Sequence, residues 1–235
     1  MGFGAIELSD PRLCLAVDVP TGAQAIDLVK ATAHVFGVFK IGLELFCSEG
    51  PGMVAQLKSA GAERIFVDLK LHDIPRTVAG AVRRISALGA DYLTIHTAGG
   101  LAMMEAAQAA ADGQVRLLGV TVLTSLDEQA LADAGTSMAI SELVPQRGRL
   151  ARQAGLAGLV CSPNEVQLMR AQMGHGMDLV TPGIRFPGQA TQDQKRVLDP
   201  GTALSQGATL LVIGRAVTAA PCLETALVRL RESVS

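Results

Sequence analysis

Short apolar runs recur along the chain, each followed by a longer stretch whose apolar positions fall three and four apart. The first run, residues 13–18, is apolar until it ends in an acid, as expected of a parallel strand buried on both faces. Thr21 is placed to cap the helix after it, whose inner stripe is Ala25, Leu28, Val29 and Thr32. Further strands are predicted at 35–41, from Ile65 onward, and at 92–96, 116–123, 158–162, 179–182 and 209–213. Between them, Ser48 and Pro51 open a helix that Gly61 stops. Pro75 opens one with Val78, Val82 and Ile85 inside and Gly89 as its stop. Gly99-Gly100 opens an Ala- and Met-rich helix closing at Gly113. Segments 127–134 and 138–154 follow, Pro163 starts a helix to 173, and a terminal helix runs from Gly214-Arg215 to 232.

Eight strand–helix units in 235 residues match the size of a (β/α)8 TIM barrel, roughly 250 residues. The competing α/β arrangement, a doubly wound open sheet, would carry GxGxxG after its first strand, and none is present. No linker-like shift of composition or low-complexity run divides the chain, so residues 1–235 are expected to form one barrel domain.

Composition narrows the function. The net charge of −2 gives no basic excess for nucleic acid, and with no Trp and one Tyr there is no aromatic surface for stacking bases. Cys14, Cys47, Cys161 and Cys222 are scattered without a CxxC pair, which predicts buried free thiols in a reducing compartment. No signal-peptide pattern and no apolar run of about 18 residues occurs, so a cytoplasmic protein without a membrane span is expected.

Chemistry in such a barrel sits where strands end and loops begin. Asp18, Lys40, Asp68, Lys70, His96, Thr124, Ser162 and Arg185 fall at those ends. Alternation along a strand places Asp68 and Lys70 on one side and Leu69 on the other. Two lysines and two acids in one pocket are costly to desolvate unless paired, which marks a site in preference to a charge network that merely closes the barrel mouth. Gly214-Arg215, at the end of the eighth strand, and Pro182-Gly183-Ile184-Arg185, after the seventh, lie where barrels often hold phosphate. His34, His72 and His175 have no partner at metal-ligand spacing, and His96 is read as a structural histidine.

The stretch Asp68-Leu69-Lys70-Leu71-His72-Asp73-Ile74-Pro75-Arg76-Thr77 resembles the signature of the orotidine 5′-phosphate decarboxylase family. Asp18, Lys40, Leu123-Thr124-Ser125, Pro182-Gly183-Ile184-Arg185, Gln194 and Gly214-Arg215 follow in the family's order, so the resemblance spans nearly the whole chain. It implies a (β/α)8 barrel that converts orotidine monophosphate (OMP) to UMP and CO2 without metal or cofactor. Lys70 is then the proton donor to C6, and Asp68 lies against the departing carboxylate. Asp73 completes a Lys40–Asp68–Lys70–Asp73 array, reaching with Ile74 and Thr77 into the partner's site of an obligate homodimer. Asp18 and Lys40 would hold the ribose and Thr124 the pyrimidine. Gln194, Arg215 and the Gly214 backbone would hold the phosphate, with Pro182 and Arg185 close by. Motif spacing favours Gln194 over Gln189 and Gln192 in a loop that looks mobile.

Hexulose-phosphate synthases and keto-gulonate-phosphate decarboxylases resemble the chain at the same DxK core, but they use Mg2+ and carry an acid where Lys40 stands. A silent nucleotide-phosphate binder on this scaffold is the non-enzymatic alternative.

Overall fold

Eight parallel strands close on themselves in chain order, the first pairing with both the second and the eighth. They are β1 (Asp10–Ala16), β2 (Phe36–Ile41), β3 (Arg64–Leu71), β4 (Tyr92–His96), β5 (Arg116–Val120), β6 (Gly158–Val160), β7 (Asp178–Thr181) and β8 (Leu210–Ile213). This is the expected (β/α)8 barrel, seen in a computed structural model that describes residues 9–186 and 198–235. The helices are α1 (Gly22–Thr32), α2 (Leu43–Glu49), α3 (Met53–Ser59), α4 (Pro75–Ala87), α5 (Gly100–Ala111) and α6 (Glu128–Asp133). They continue as α7 (Ile140–Gln153), α8 (Val166–Met173), α9 (Pro200–Ser205), α10 (Arg215–Thr218) and α11 (Leu223–Val234).

Strand alternation sorts the apolar residues into two cores. Cys14, Ala16, Val38, Phe66, Tyr92, Leu118, Val180, Leu210 and Val212 pack together inside the barrel. Their neighbours Leu13, Leu15, Phe39, Ile41, Ile65 and Val67 pack outward against the helices. Both faces are therefore buried, which is why β2 is buried at every residue and the strands read as near-continuous apolar runs. Phe66 and Tyr92 are cross-strand neighbours with ring centroids 6.1 Å apart, edge to face. Burying a ring such as that of Phe66 contributes about 1.5–3 kcal/mol.

Helix starts follow the local chemistry. The Thr21 side chain accepts from the Gln24 N–H at the head of α1, and Pro75 occupies the first turn of α4. Five features differ from the sequence reading. The helix expected from Ser48 and Pro51 is two helices. Gly42 opens α2, Gly50 ends it at φ 73°, and Ser48 lies inside it, its hydroxyl donating to the Leu45 carbonyl at 3.2 Å. The short helix α9 was not anticipated, although Asp199 caps it by accepting from the Thr202 N–H at 3.0 Å and Pro200 starts it.

The terminal helix is broken into α10 and α11. Pro221 disfavours helical backbone at the residue before it. The fifth strand stops pairing at Val120 instead of reaching 123, and the Thr121 hydroxyl donates to the Val160 carbonyl at 3.0 Å. All four cysteines are free thiols, but only Cys14 and Cys161 are buried. Cys47 on α2 and Cys222 at the head of α11 are exposed. Among the described residues no helix is long and apolar enough to cross a membrane.

Candidate active site

The site grows out of a slip in β3. Val67 pairs with Leu93 and Leu71 pairs with Ile95, so Asp68, Leu69 and Lys70 together stand opposite Thr94 alone. Extra residues in one strand bend it and re-aim its side chains. Lys70 takes up the distortion at φ 50°, a left-handed conformation that costs a non-glycine residue about 1–3 kcal/mol. Asp68 and Lys70 still face the same cavity, as expected, but a bulge brings them there and not plain alternation. The Lys70 ammonium donates to Asp68 Oδ1 at 2.8 Å. Thr94 Oγ1 donates to the same oxygen at 2.8 Å and accepts from the Lys70 backbone N–H at 2.9 Å.

Lys40, at the end of β2, extends the network. Its Nζ lies 3.2 Å from Asp18 Oδ1 and 3.6 Å from Asp68 Oδ2, giving the sequence Asp18–Lys40–Asp68–Lys70 of alternating charge. Burial opposes the charge on Lys40, but Asp68 and Asp18 outweigh it and hold the ammonium above its ordinary pKa. Burial likewise pushes Asp68 up. The two lysines, and the hydrogen bonds from Lys70 and Thr94, bring it below the usual carboxylate range. Both groups are charged in the fold because each is the other's partner. Gly42 makes room for this pairing, since a Cβ there would stand 3.1 Å from both Asp18 Oδ1 and Lys40 Nζ.

A cavity of about 250 Å³, near the lower end of small-molecule sites, joins this network to the loops after β5, β7 and β8. Thr124, Pro182, Gly183, Arg185, Gly214 and Arg215 line it there. Ala16, Phe66, Val160 and Val212 form its apolar part. These apolar residues were not singled out from the sequence, although strand alternation back from Asp68 points to Phe66. Arg185 is buried and its Nη1 donates to the Ile184 carbonyl at 2.8 Å. Arg215 is the first residue of α10, which is only four residues long, so the long terminal helix expected from Gly214-Arg215 does not start at the cavity. The cavity thus has an acid–ammonium network from β1–β3, two guanidiniums from the loops after β7 and β8, and an apolar wall between.

Other expected residues lie elsewhere. Asp73, Ile74 and Thr77 are exposed at the start of α4 and do not line the cavity. Asp73 Oδ1 accepts from the Ile74 N–H at 2.6 Å. Gln194 lies outside the described residues. Ser162 does not line the cavity; its backbone N–H donates to Glu165 Oε2 at 2.8 Å, as part of a helix start. The ring of His96 lies 5.3 Å from that of His72. Burial, with positive charge from His72, Lys70 and Arg147, lowers the His96 pKa to about 4. Among the described residues no group of three or more His, Cys, Asp or Glu side chains is arranged to hold a metal ion.

The family model described as orotidine 5′-phosphate decarboxylase / HUMPS family matches residues 11–230. The chain belongs to this family. Over 210 residues it is 48% identical to an orotidine 5′-phosphate decarboxylase of Anaeromyxobacter sp. (strain K), covering 89% of this chain and 92% of that one. It is 45% identical over 219 residues to one from Moorella thermoacetica, covering 89% and 86%. Among solved structures, an orotidine 5′-phosphate decarboxylase from Lactobacillus acidophilus superposes with a TM-score of 0.82 at 29% identity, over 96% of this chain and 100% of that one. The resemblance seen in the DxKxxDxP stretch thus extends to sequence and fold across this family.

Proposed function

We propose that the chain decarboxylates orotidine 5′-monophosphate to UMP and CO2 as a step of pyrimidine biosynthesis, without metal or cofactor. The observation that carries this reading is the Lys40–Asp68–Lys70 network, with its fixed ammonium, at one end of a cavity whose other end holds two arginines. Decarboxylation breaks the bond between C6 and the carboxylate and leaves the electron pair on C6, where the ring has no obvious electron sink. An ammonium placed at that carbon stabilises the pair as it forms and delivers a proton to it. Lys70 has that role, and solvent restores its proton afterwards. Asp68, held ionised by two lysines, lies against the leaving carboxylate and holds Lys70 in place.

The remaining residues bind parts of the substrate that do not react. Asp18 and Lys40 take the ribose hydroxyls, and Thr124 with the Pro182 loop takes the pyrimidine. Arg215, the Gly214 backbone, Arg185 and Gln194 take the phosphate. Binding energy gained at the phosphate offsets the cost of fixing the ring against the charged network. Enzymes lower barriers by roughly 8–23 kcal/mol, and a reaction this unassisted belongs near the upper end.

Two copies of the chain complete two sites, with Asp73, Ile74 and Thr77 of each subunit serving the other. Ile74 is 66% exposed, and burying its apolar side chain against a second subunit would favour association. The Mg2+-dependent sugar-phosphate chemistry of neighbouring enzymes is disfavoured because the Lys40 ammonium lies between Asp18 and Asp68, where it would repel a divalent cation.

The test is loss of OMP absorbance with purified protein in excess EDTA. Conversion to UMP supports the reading and its metal independence together. No conversion by a folded protein, with or without Mg2+, overturns it.

A further inference from the structure

Thr94 is fully buried in the apolar strand β4. A hydroxyl has one O–H and two lone pairs, and Thr94 uses both kinds of capacity on the charged network. Its O–H goes to Asp68 Oδ1 and its lone pair receives the Lys70 backbone N–H. It does so at the one β4 position that stands opposite three residues of β3. The slip displaces the ordinary strand partner of Lys70, and the Thr94 side chain supplies the acceptor in its place. The left-handed backbone of Lys70 is thereby tied to the neighbouring strand, and Asp68 Oδ1 is fixed between the Thr94 hydroxyl and the Lys70 ammonium.

We propose that Thr94 is a positioning residue for the decarboxylation: it clamps the β3 bulge so that the Lys70 ammonium and the Asp68 carboxylate keep their places at the reacting carbon. This rests on the function proposed above. Neither Asp68 nor Lys70 can supply the clamp alone, because their mutual bond joins two side chains of the same bulge and ties neither to β4. The role needs the hydroxyl, not the volume of the side chain. Thr94→Val keeps the shape and removes both hydrogen bonds, whereas Thr94→Ser keeps both and removes a methyl group.

The experiment compares these variants with wild type. Thr94→Val should lower kcat by about ten- to a hundredfold, the scale of one lost charge-assisted hydrogen bond. KM for OMP and the Kd for UMP should stay within about threefold of wild type, because the lost bonds act on the reacting groups and not on substrate binding. Thr94→Ser should restore kcat. A crystal structure of Thr94→Val should show Lys70 leaving the left-handed region, or Asp68 rotated away from its ammonium. Wild-type kcat in Thr94→Val, an equal loss in Thr94→Ser, or a loss that falls on UMP affinity would each overturn the proposal. If wild type does not turn OMP over, the functional reading fails by itself. The variant's structure then still decides the clamp: an unchanged Lys70 backbone and Asp68 carboxylate would overturn it.

Discussion

Lys40 Nζ lies 3.6 Å from Asp68 Oδ2, and both side chains are almost withdrawn from solvent. A buried pair of this kind is costly to break on one side, because the survivor keeps its desolvation penalty and loses its partner. Asp68 has a lowered pKa in the fold, so its contribution to stability is present above the unfolded value near 3.9 and is lost as pH falls through the folded one. Lys40 has a raised pKa, so its contribution is present below about 10.4 and is lost as pH rises through the folded value. The pair therefore stabilises the protein across the whole neutral range. Lys40→Met should cost about 3–5 kcal/mol at neutral pH, read from urea midpoints. It should also move the acid loss of stability upward, since Asp68 loses one of the two lysines that hold its pKa down. A variant as stable as wild type, with the same acid limb, would contradict the pairing.

Lys70→Ala tests the proposed proton donor apart from the fold. Lys70 is partly exposed and its removal leaves Asp68 paired with Lys40. The variant should fold, bind UMP within about tenfold of wild type, and lose turnover by several orders of magnitude. Measurable turnover near the wild-type rate would remove Lys70 from the role.

At the other end of the cavity, Arg215→Ala should weaken UMP binding by about 1.5–3 kcal/mol, the worth of a hydrogen bond to a charged group. It should leave the affinity for uridine unchanged, because only the phosphate is lost from that ligand. Titration of both ligands by calorimetry separates the two, and equal loss for both would argue against a phosphate contact.

His96 supplies a separate pH dependence. Its pKa falls to about 4 in the fold, chiefly by burial and then by His72, Lys70 and Arg147, while Asp68 pulls weakly the other way. The unfolded chain takes up a proton near pH 6.5, so folding stability falls as pH drops from about 6.5 to 4. His96 is only partly buried, and solvent screening keeps the effect on the order of 1 kcal/mol. His96→Gln should flatten urea midpoints measured at pH 7, 6 and 5, above the range where Asp68 titrates. Parallel midpoints in variant and wild type would show that His96 is not responsible.

The barrel was legible because parallel strands buried on both faces advertise themselves as apolar runs, and because Asp18, Lys40, Asp68 and Arg185 fall at the ends of such runs or just beyond them. Thr94 was not legible. A threonine in Tyr92–His96 looks like any β-branched strand residue, and only the slip against β3 turns its hydroxyl toward Asp68 and Lys70. The helix break at Pro221 and the cap at Asp199 had local signals, but a run of apolar residues at helical spacing outweighed the first, and α9 is too short to show periodicity. The position of Asp73 depends on the turn from β3 into α4, which no pattern of spacing conveys.

That position sets the last prediction. Asp73 turns its carboxylate onto the Ile74 N–H, and among the described residues no lysine or arginine forms an ion pair with it. Within one chain it is thus separate from the Lys40–Asp68–Lys70 network that it was expected to extend. If it serves the partner's site, a dimer of Lys70→Ala with Asp73→Ala has one site lacking both groups and one site intact. Mixing the two inactive proteins after partial unfolding and refolding should then restore about a quarter of wild-type activity. Random pairing makes half the dimers mixed, and each carries one good site of two. If Asp73 acts within its own chain, every site in the mixture lacks one group and no activity returns. Verified exchange without recovery would therefore place Asp73 outside the shared site, whatever the two single variants do alone.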